Sequence, residues 1–221
     1  MEKRGNTKSK RLLIIGVALV LLFAVWTVLV KTVDVQAIGP NGTSVGFATL
    51  NGYVHKLTGV NMALYTITDW LSIIPLVFIL GLATLGGVQL FSRKSFIKVD
   101  FSILILGGFY VVVMAVFVLF EFLAVNYRPV LINGVLEASY PSSTTLLVMC
   151  VMPTAVMQLK SRIKNEVFSK IVVILLDIFT VFMVVARLIS GVHWFSDIIG
   201  GAIFSTGLVM IYYSLTKLCA K

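Results

Sequence analysis

The sequence predicts an all-α membrane protein with six transmembrane helices in a single bundle, on three observations. Charged residues make up 12% of the 221 positions and hydrophobic ones 59%, whereas soluble domains run near 25% charged. Mean hydropathy is +1.03. Uncharged stretches recur at about the 20 residues a helix needs to cross a hydrocarbon core, and the alternating segments of a barrel are missing, so helices, which satisfy their own backbone, are the reading left.

The first span is predicted over residues 12–30, after the basic segment "MEKRGNTKSKR". It is longer than a signal core and no strong small-x-small site follows, "VQA" before Ile38 being the weak alternative, so an uncleaved helix is expected. The connection over residues 31–69 is the one long loop: "GPNG" at 39–42 reads as a turn, and "ATLNGYVHKL" suits a segment lying along the outer surface. His55 in it reads as a polar residue at headgroup level, and Asn41-Gly-Thr matches a glycosylation sequon by chance as easily as by design. Further spans are predicted over 71–91, 101–120, 142–159 (with Pro153 inside), 171–190 (with Asp177 and Arg187 inside) and 198–216. The chain thus divides into a basic N-terminus, residues 1–11, a membrane domain, 12–216, and a short tail, 217–221. Asp177, the one charge deep in a span, is expected to hydrogen-bond a neighbouring helix; a channel or transporter would need it to relay protons.

All of the 18 lysines and arginines except Lys31, Lys56, Arg128 and Arg187 fall at one side of this layout. Positive charge in short loops marks the cytoplasmic side, which places both termini there. The net charge of +9 follows from this topology and from attraction to anionic inner-leaflet lipid, and calls for no nucleic acid. Cys150 and Cys219 lie too far apart in the membrane frame for a disulfide framework. With only His55 and His193, no multi-histidine or cysteine-rich metal cluster is available, though carboxylates alone could hold magnesium; neither metal nor cofactor is expected.

The remaining polar residues converge on the opposite, extracytoplasmic side. Glu121 and Arg128 lie at the outer end of the third span, Ser142, Ser143 and Thr144 at the start of the fourth, Arg187 at the end of the fifth, and His193 with Asp197 at the entry to the sixth. Each alone reads as an interfacial anchor; gathered at one depth with both signs of charge, they read as a functional site. Trp194 reads as an interfacial aromatic, and Gly200 and Gly201 as close-packing positions between helices.

Three segments carry these residues: "EFLAVNYRP" at 121–129, "YPSSTT" at 140–145 and "ARLISGVHWFSD" at 186–197. Together they resemble the three signature motifs of the type 2 phosphatidic acid phosphatase family, membrane relatives of the vanadium haloperoxidases and acid phosphatases. That family reads Lys, six residues, Arg-Pro; then Pro-Ser-Gly-His; then Ser-Arg, five residues, His, three residues, Asp. The resemblance implies that His193 is a nucleophile forming a phosphohistidine. Asp197, four residues on, would hold the other ring N–H and fix the tautomer. Arg128 and Arg187 would cradle the phosphate through their planar forks, with Ser142 and Ser143 completing the anion site at a helix start.

The sequence departs from that pattern at four places: Glu121 for the lysine, Ser143 for the glycine, Thr144 for the second histidine and Ala186 for the serine. The Thr144 change removes the expected general acid, worth about 10²- to 10⁴-fold. Glu121 removes a phosphate-binding cation, though a protonated Glu121 would donate a proton itself. Leaving-group chemistry then favours one substrate. An alcohol is about as poor an acid as water, whereas a lipid monophosphate leaving a diphosphate has a final pKa of about 6. The expectation is a membrane lipid phosphatase for a polyprenyl diphosphate, a phosphatidate-type lipid being the other substrate class. The alternative is a catalytically impaired member that binds or transports a lipid phosphate.

Overall fold

The structure, a computed structural model, describes residues 2–219, with the backbone alone for residues 2–5. Parts of the two expected terminal segments, the side chains of Lys3 and Arg4 and the whole of Lys221, lie outside the described residues. Among the described residues, six helical segments are long and apolar enough to cross a membrane: Asn6–Thr32, Met62–Arg93, Phe101–Leu123, Ser143–Lys160, Glu166–Ile189 and Phe195–Leu218. The protein is an all-α, multi-pass membrane protein, as its uncharged runs predict.

The first span lies in α1 (Glu2–Thr32), and the connection after it holds two helices, α2 (Ala48–Thr58) and α3 (Met62–Leu71), where a loop was expected. α3 runs almost directly into α4 (Ile73–Arg93), so the second span begins nine residues before the predicted start. Asp69 ended the uncharged run in the sequence, but in the fold it stays helical and ion-pairs with Arg187 at 3.7 Å. α2 is more than a surface segment. It buries Asn51, whose amide donates to the Ser196 hydroxyl at 2.9 Å and accepts from the Ser196 N–H at 3.0 Å, while Tyr53 and Leu57 face outward.

The remaining helices are α5 (Phe101–Leu123), α6 (Ser143–Lys160), α7 (Glu166–Ile189) and α8 (Phe195–Leu218). α6 is central, packed by α4, α5, α7 and α8, and Pro153 sits inside it without ending it. α1 lies along α8, where a Cβ on Gly16 or Gly207 would come within 2.9 Å of the other's carbonyl oxygen. Such small residues let backbones close in where lipid offers helices no hydrophobic drive to associate. Trp26 of α1 also donates its indole N–H to the Ser196 carbonyl at 3.1 Å, bracing the start of α8.

Near the end of this pair that carries Thr32 and Phe195, Phe23, Phe120, Tyr140 and Phe204 form an aromatic core. Tyr140 presses on Gly200 so closely that a Cβ there would meet its ring at 2.8 Å. Gly200 therefore packs against the loop before α6 rather than against another helix. At the other end of the bundle, Asp100 joins α4 and α6 to α5 through Arg93 at 3.0 Å and Arg162 at 3.3 Å. A hydrogen bond from Gln89, helped by the two arginines, holds its carboxyl below the usual range.

Asp177 does not reach a neighbouring helix. It is exposed at the middle of α7, facing away from the bundle, beside Ile178, Val181 and Phe182, and it makes no hydrogen bond among the described residues.

Candidate functional site

Helix direction brings the ends of α5 and α7 and the starts of α3, α6 and α8 to one end of the bundle, opposite Arg93, Lys160 and Lys217. The chain between α5 and α6 folds over this end as a short antiparallel excursion. Bridges join Tyr127 to Ala138 and Ile132 to Val135, and Asn133 and Gly134, with φ of 51° and 80°, make the turn. Positive φ at both central residues suits the two-residue hairpin, hence Asn-Gly. The Arg128 N–H donates to the Glu137 carbonyl at 3.0 Å, so the two side chains emerge together and pair, Nε to Oε2, at 2.9 Å.

His193 follows Gly191, whose φ of +66° and 1.8 Å clearance between a virtual Cβ and the Gly59 carbonyl oxygen admit no side chain. That turn delivers the His193 ring, 3% exposed, into the bundle end. Its Nδ1 lies 3.1 Å from the Ser139 carbonyl oxygen and its Nε2 lies 3.3 Å from Nη1 of Arg128. A carbonyl oxygen only accepts, so Nδ1 carries the proton and the Nε2 lone pair faces the guanidinium. Burial pulls the His193 pKa down to about 4; the positive charges of Arg128 and Arg187 act in the same direction and Asp197 opposes them.

Asp197 differs from expectation. Its carboxylate stands 3.9 Å from Nδ1, beyond a hydrogen bond. It sits in the first turn of α8 and turns back to accept the Trp194 N–H at 3.0 Å, with Asn126 Nδ2 at 3.1 Å and the Ser196 hydroxyl at 3.4 Å. Helix capping outcompetes the histidine for this carboxylate because the unpaired N–H groups of a helix start point straight at it. The Ser139 carbonyl holds the ring instead.

Arg187, 2% exposed, donates to the Thr68 hydroxyl at 3.0 Å and the Tyr65 carbonyl at 3.4 Å, and its guanidinium lies 4.7 Å from the centre of the Tyr65 ring. The Arg128 guanidinium lies 5.9 Å from the same ring. Two cavities of about 290 Å³ each meet at Arg128 and Ser143. One is walled by His193, Glu121, Glu137, Ser139 and Tyr140. The other is walled by Arg187, Thr144 and Asp69 and continues along the span residues Leu76, Val113, Met114 and Phe117. Glu121 lines the first cavity without a hydrogen bond or ion pair among the described residues. Ser142 is on neither wall: its hydroxyl caps α6, accepting from the Thr145 hydroxyl at 3.1 Å. Tyr65, Thr68, Ser139 and Glu137 belong to the site without having been singled out from the sequence.

The sequence profile of the PAP2 superfamily matches residues 108–220, and the chain belongs to that superfamily. The structure is similar to the crystal structure of the first transmembrane PAP2 type phosphatidylglycerolphosphate phosphatase from Bacillus subtilis. The TM-score is 0.57 and the identity 20%, covering 90% of this chain and 94% of that one. No curated protein sequence matches the chain.

Proposed function

We propose that the protein is a membrane lipid phosphatase that transfers a phosphoryl group from a phosphorylated lipid to Nε2 of His193 and then to water. The observation that carries this reading is the His193 ring, anchored through Nδ1 on the Ser139 carbonyl with its Nε2 lone pair on Arg128 in a walled cavity. A neutral imidazole with a fixed tautomer is the nucleophilic form. Arg128 and Arg187 supply donors that never lose their charge for the phosphoryl oxygens, and Ser143 adds a hydroxyl at the N-terminus of α6. The second cavity, apolar along α4 and α5, accommodates the start of a lipid tail. The basic ends of the helices lie opposite the site, which supports reading it as extracytoplasmic with both termini in the cytoplasm.

Thr144 brings no titratable proton to the cavity wall, which favours a leaving group that departs as an anion, so the substrate we assign is a polyprenyl diphosphate. The test is phosphate release by the purified protein in detergent, comparing farnesyl diphosphate with phosphatidic acid, and wild type with His193→Ala. The expected result is faster release from the diphosphate and loss of it in the alanine variant. Release that survives His193→Ala overturns the mechanism; binding of both lipids without any release identifies a lipid-phosphate carrier instead.

A further inference from the structure

We infer that Glu137 is the general base that clears the phosphorylated His193 ring, an assignment that rests on the phosphohistidine reading above. In that step a water oxygen bonds to phosphorus, the P–Nε2 bond breaks with its electron pair left on Nε2, and a proton leaves the water. The ring cannot take that proton during the step. Nε2 is still bonded to phosphorus, and Nδ1 keeps its proton, donated to the Ser139 carbonyl. The base must therefore stand on the cavity wall.

Besides Arg128 and His193, three titratable side chains line this cavity: Glu121, Glu137 and Tyr140. The Tyr140 hydroxyl is 2.8 Å from that of Thr27, and burial pushes its pKa above the ordinary range. Glu121 makes no hydrogen bond or ion pair among the described residues. Glu137 is tied to Arg128 twice: its carbonyl accepts the Arg128 main-chain N–H, and its Oε2 ion-pairs with Nε of the guanidinium at 2.9 Å, while Nη1 of the same group meets Nε2 of His193 at 3.3 Å.

The fork of Arg128 makes this arrangement compatible with a bound phosphoryl group. A guanidinium offers five N–H donors. Once Nε2 bonds to phosphorus, Nη1 loses its ring acceptor and can turn with Nη2 to the phosphoryl oxygens, while the ion pair with Glu137 on the Nε side persists. The phosphoryl group then lies between the ring and the carboxylate. The Glu137 side chain is 36% exposed, so water reaches it. A water on its free oxygen attacks phosphorus from the side away from the ring, Glu137 takes the proton and later returns it to solvent, phosphate leaves, and His193 is neutral again.

The experiment uses the full chain in detergent and farnesyl diphosphate radiolabelled in its terminal phosphate. Glu137→Gln keeps the shape and one acceptor oxygen but takes no proton. Phosphate release is expected to fall about 10²- to 10⁴-fold, while base-stable, acid-labile label accumulates on His193 towards one per chain. Glu137→Asp, which keeps a carboxylate, is expected to regain at least about tenfold of the loss. Release by Glu137→Gln within about threefold of wild type overturns the assignment. So does loss of label together with release, which places Glu137 in phosphate binding, and so does trapping of label by Glu121→Gln instead. Wild-type release insensitive to His193→Ala, or no label and no release in the wild type, overturns the phosphohistidine reading itself and this assignment with it.

Discussion

The Nδ1 atom of His193 lies 3.1 Å from the carbonyl oxygen of Ser139, and this contact sets the tautomer of the ring, while burial sets its pH behaviour. The ring is buried and its pKa is drawn down to about 4, chiefly by desolvation. The acid limb of kcat/KM for phosphate release is therefore expected near pH 4 rather than near the ordinary value of about 6.5. Stability follows the same linkage. Between about 4 and 6.5 the unfolded chain binds a proton at this position and the folded chain does not, so folding stability rises with pH across that window. Thermal unfolding in detergent between pH 4 and pH 7 measures it. His193→Gln, which does not titrate there, is expected to flatten the rise.

Asp197→Asn separates capping from catalysis. The carboxylate is fully buried and accepts from the Trp194 N–H, Asn126 and Ser196. A carboxamide turns one acceptor into a donor facing donors, at a cost of about 1–3 kcal/mol, visible as a lower Tm. Where an aspartate alone sets a catalytic histidine's tautomer, the same change costs about 10⁴-fold in rate. Here Ser139 sets it, so the loss of phosphate release is expected to stay well below that factor. A loss of the full size would return the orienting role to Asp197.

Arg128→Lys keeps the charge and removes the fork. One guanidinium meets Glu137 at Nε and His193 at Nη1, and a single ammonium on a flexible stem cannot hold both in that geometry. kcat/KM for phosphate release is expected to fall at least about tenfold, with KM raised and Tm little changed. Equal kinetics for the lysine variant would show that only the charge matters.

What could be read in the sequence and what could not divides along physical lines. Spans announce themselves by composition, and the meeting of Arg128, Arg187 and His193 follows from motif spacing and chain direction, because helices fix where their ends lie. Asp69 misled because a charge in an apolar run reads as an end, while its partner Arg187 is 118 positions away. Tyr65 and Thr68 were lost with the helix that carries them. Ser139 acts through its main-chain carbonyl, so its side chain left no signal. Glu137 did leave one: the Asn133-Gly134 pair between apolar residues is a two-residue hairpin turn, which brings the opposite charges on its two arms together.

Gly191→Ala tests the turn that presents His193. The residue has φ of +66° and a Cβ would stand 1.8 Å from the Gly59 carbonyl oxygen, so the turn between α7 and α8 must move away from the one between α2 and α3. The expected cost exceeds about 2 kcal/mol, read as a lower Tm with loss of phosphate release. An alanine variant of wild-type Tm would mean that these two turns are not packed as described.

Thr144→His tests which chemical step limits the protein. Thr144 is 5% exposed on the wall shared with Arg187, beside a cavity of about 290 Å³ into which a larger side chain can extend. An imidazole there adds a proton donor near the phosphoryl site, and such donors contribute about 10²- to 10⁴-fold when the leaving group needs one. A monophosphate ester expels an alkoxide and needs it; a diphosphate expels a phosphate of final pKa about 6 and needs it far less. Release from phosphatidic acid is therefore expected to rise by up to about 10²-fold, and release from farnesyl diphosphate by less than tenfold, reading each as kcat/KM. Equal gains on both substrates would show that Thr144 limits something other than protonation of the leaving group. No gain on phosphatidic acid would show that the lipid, not the missing acid, excludes it.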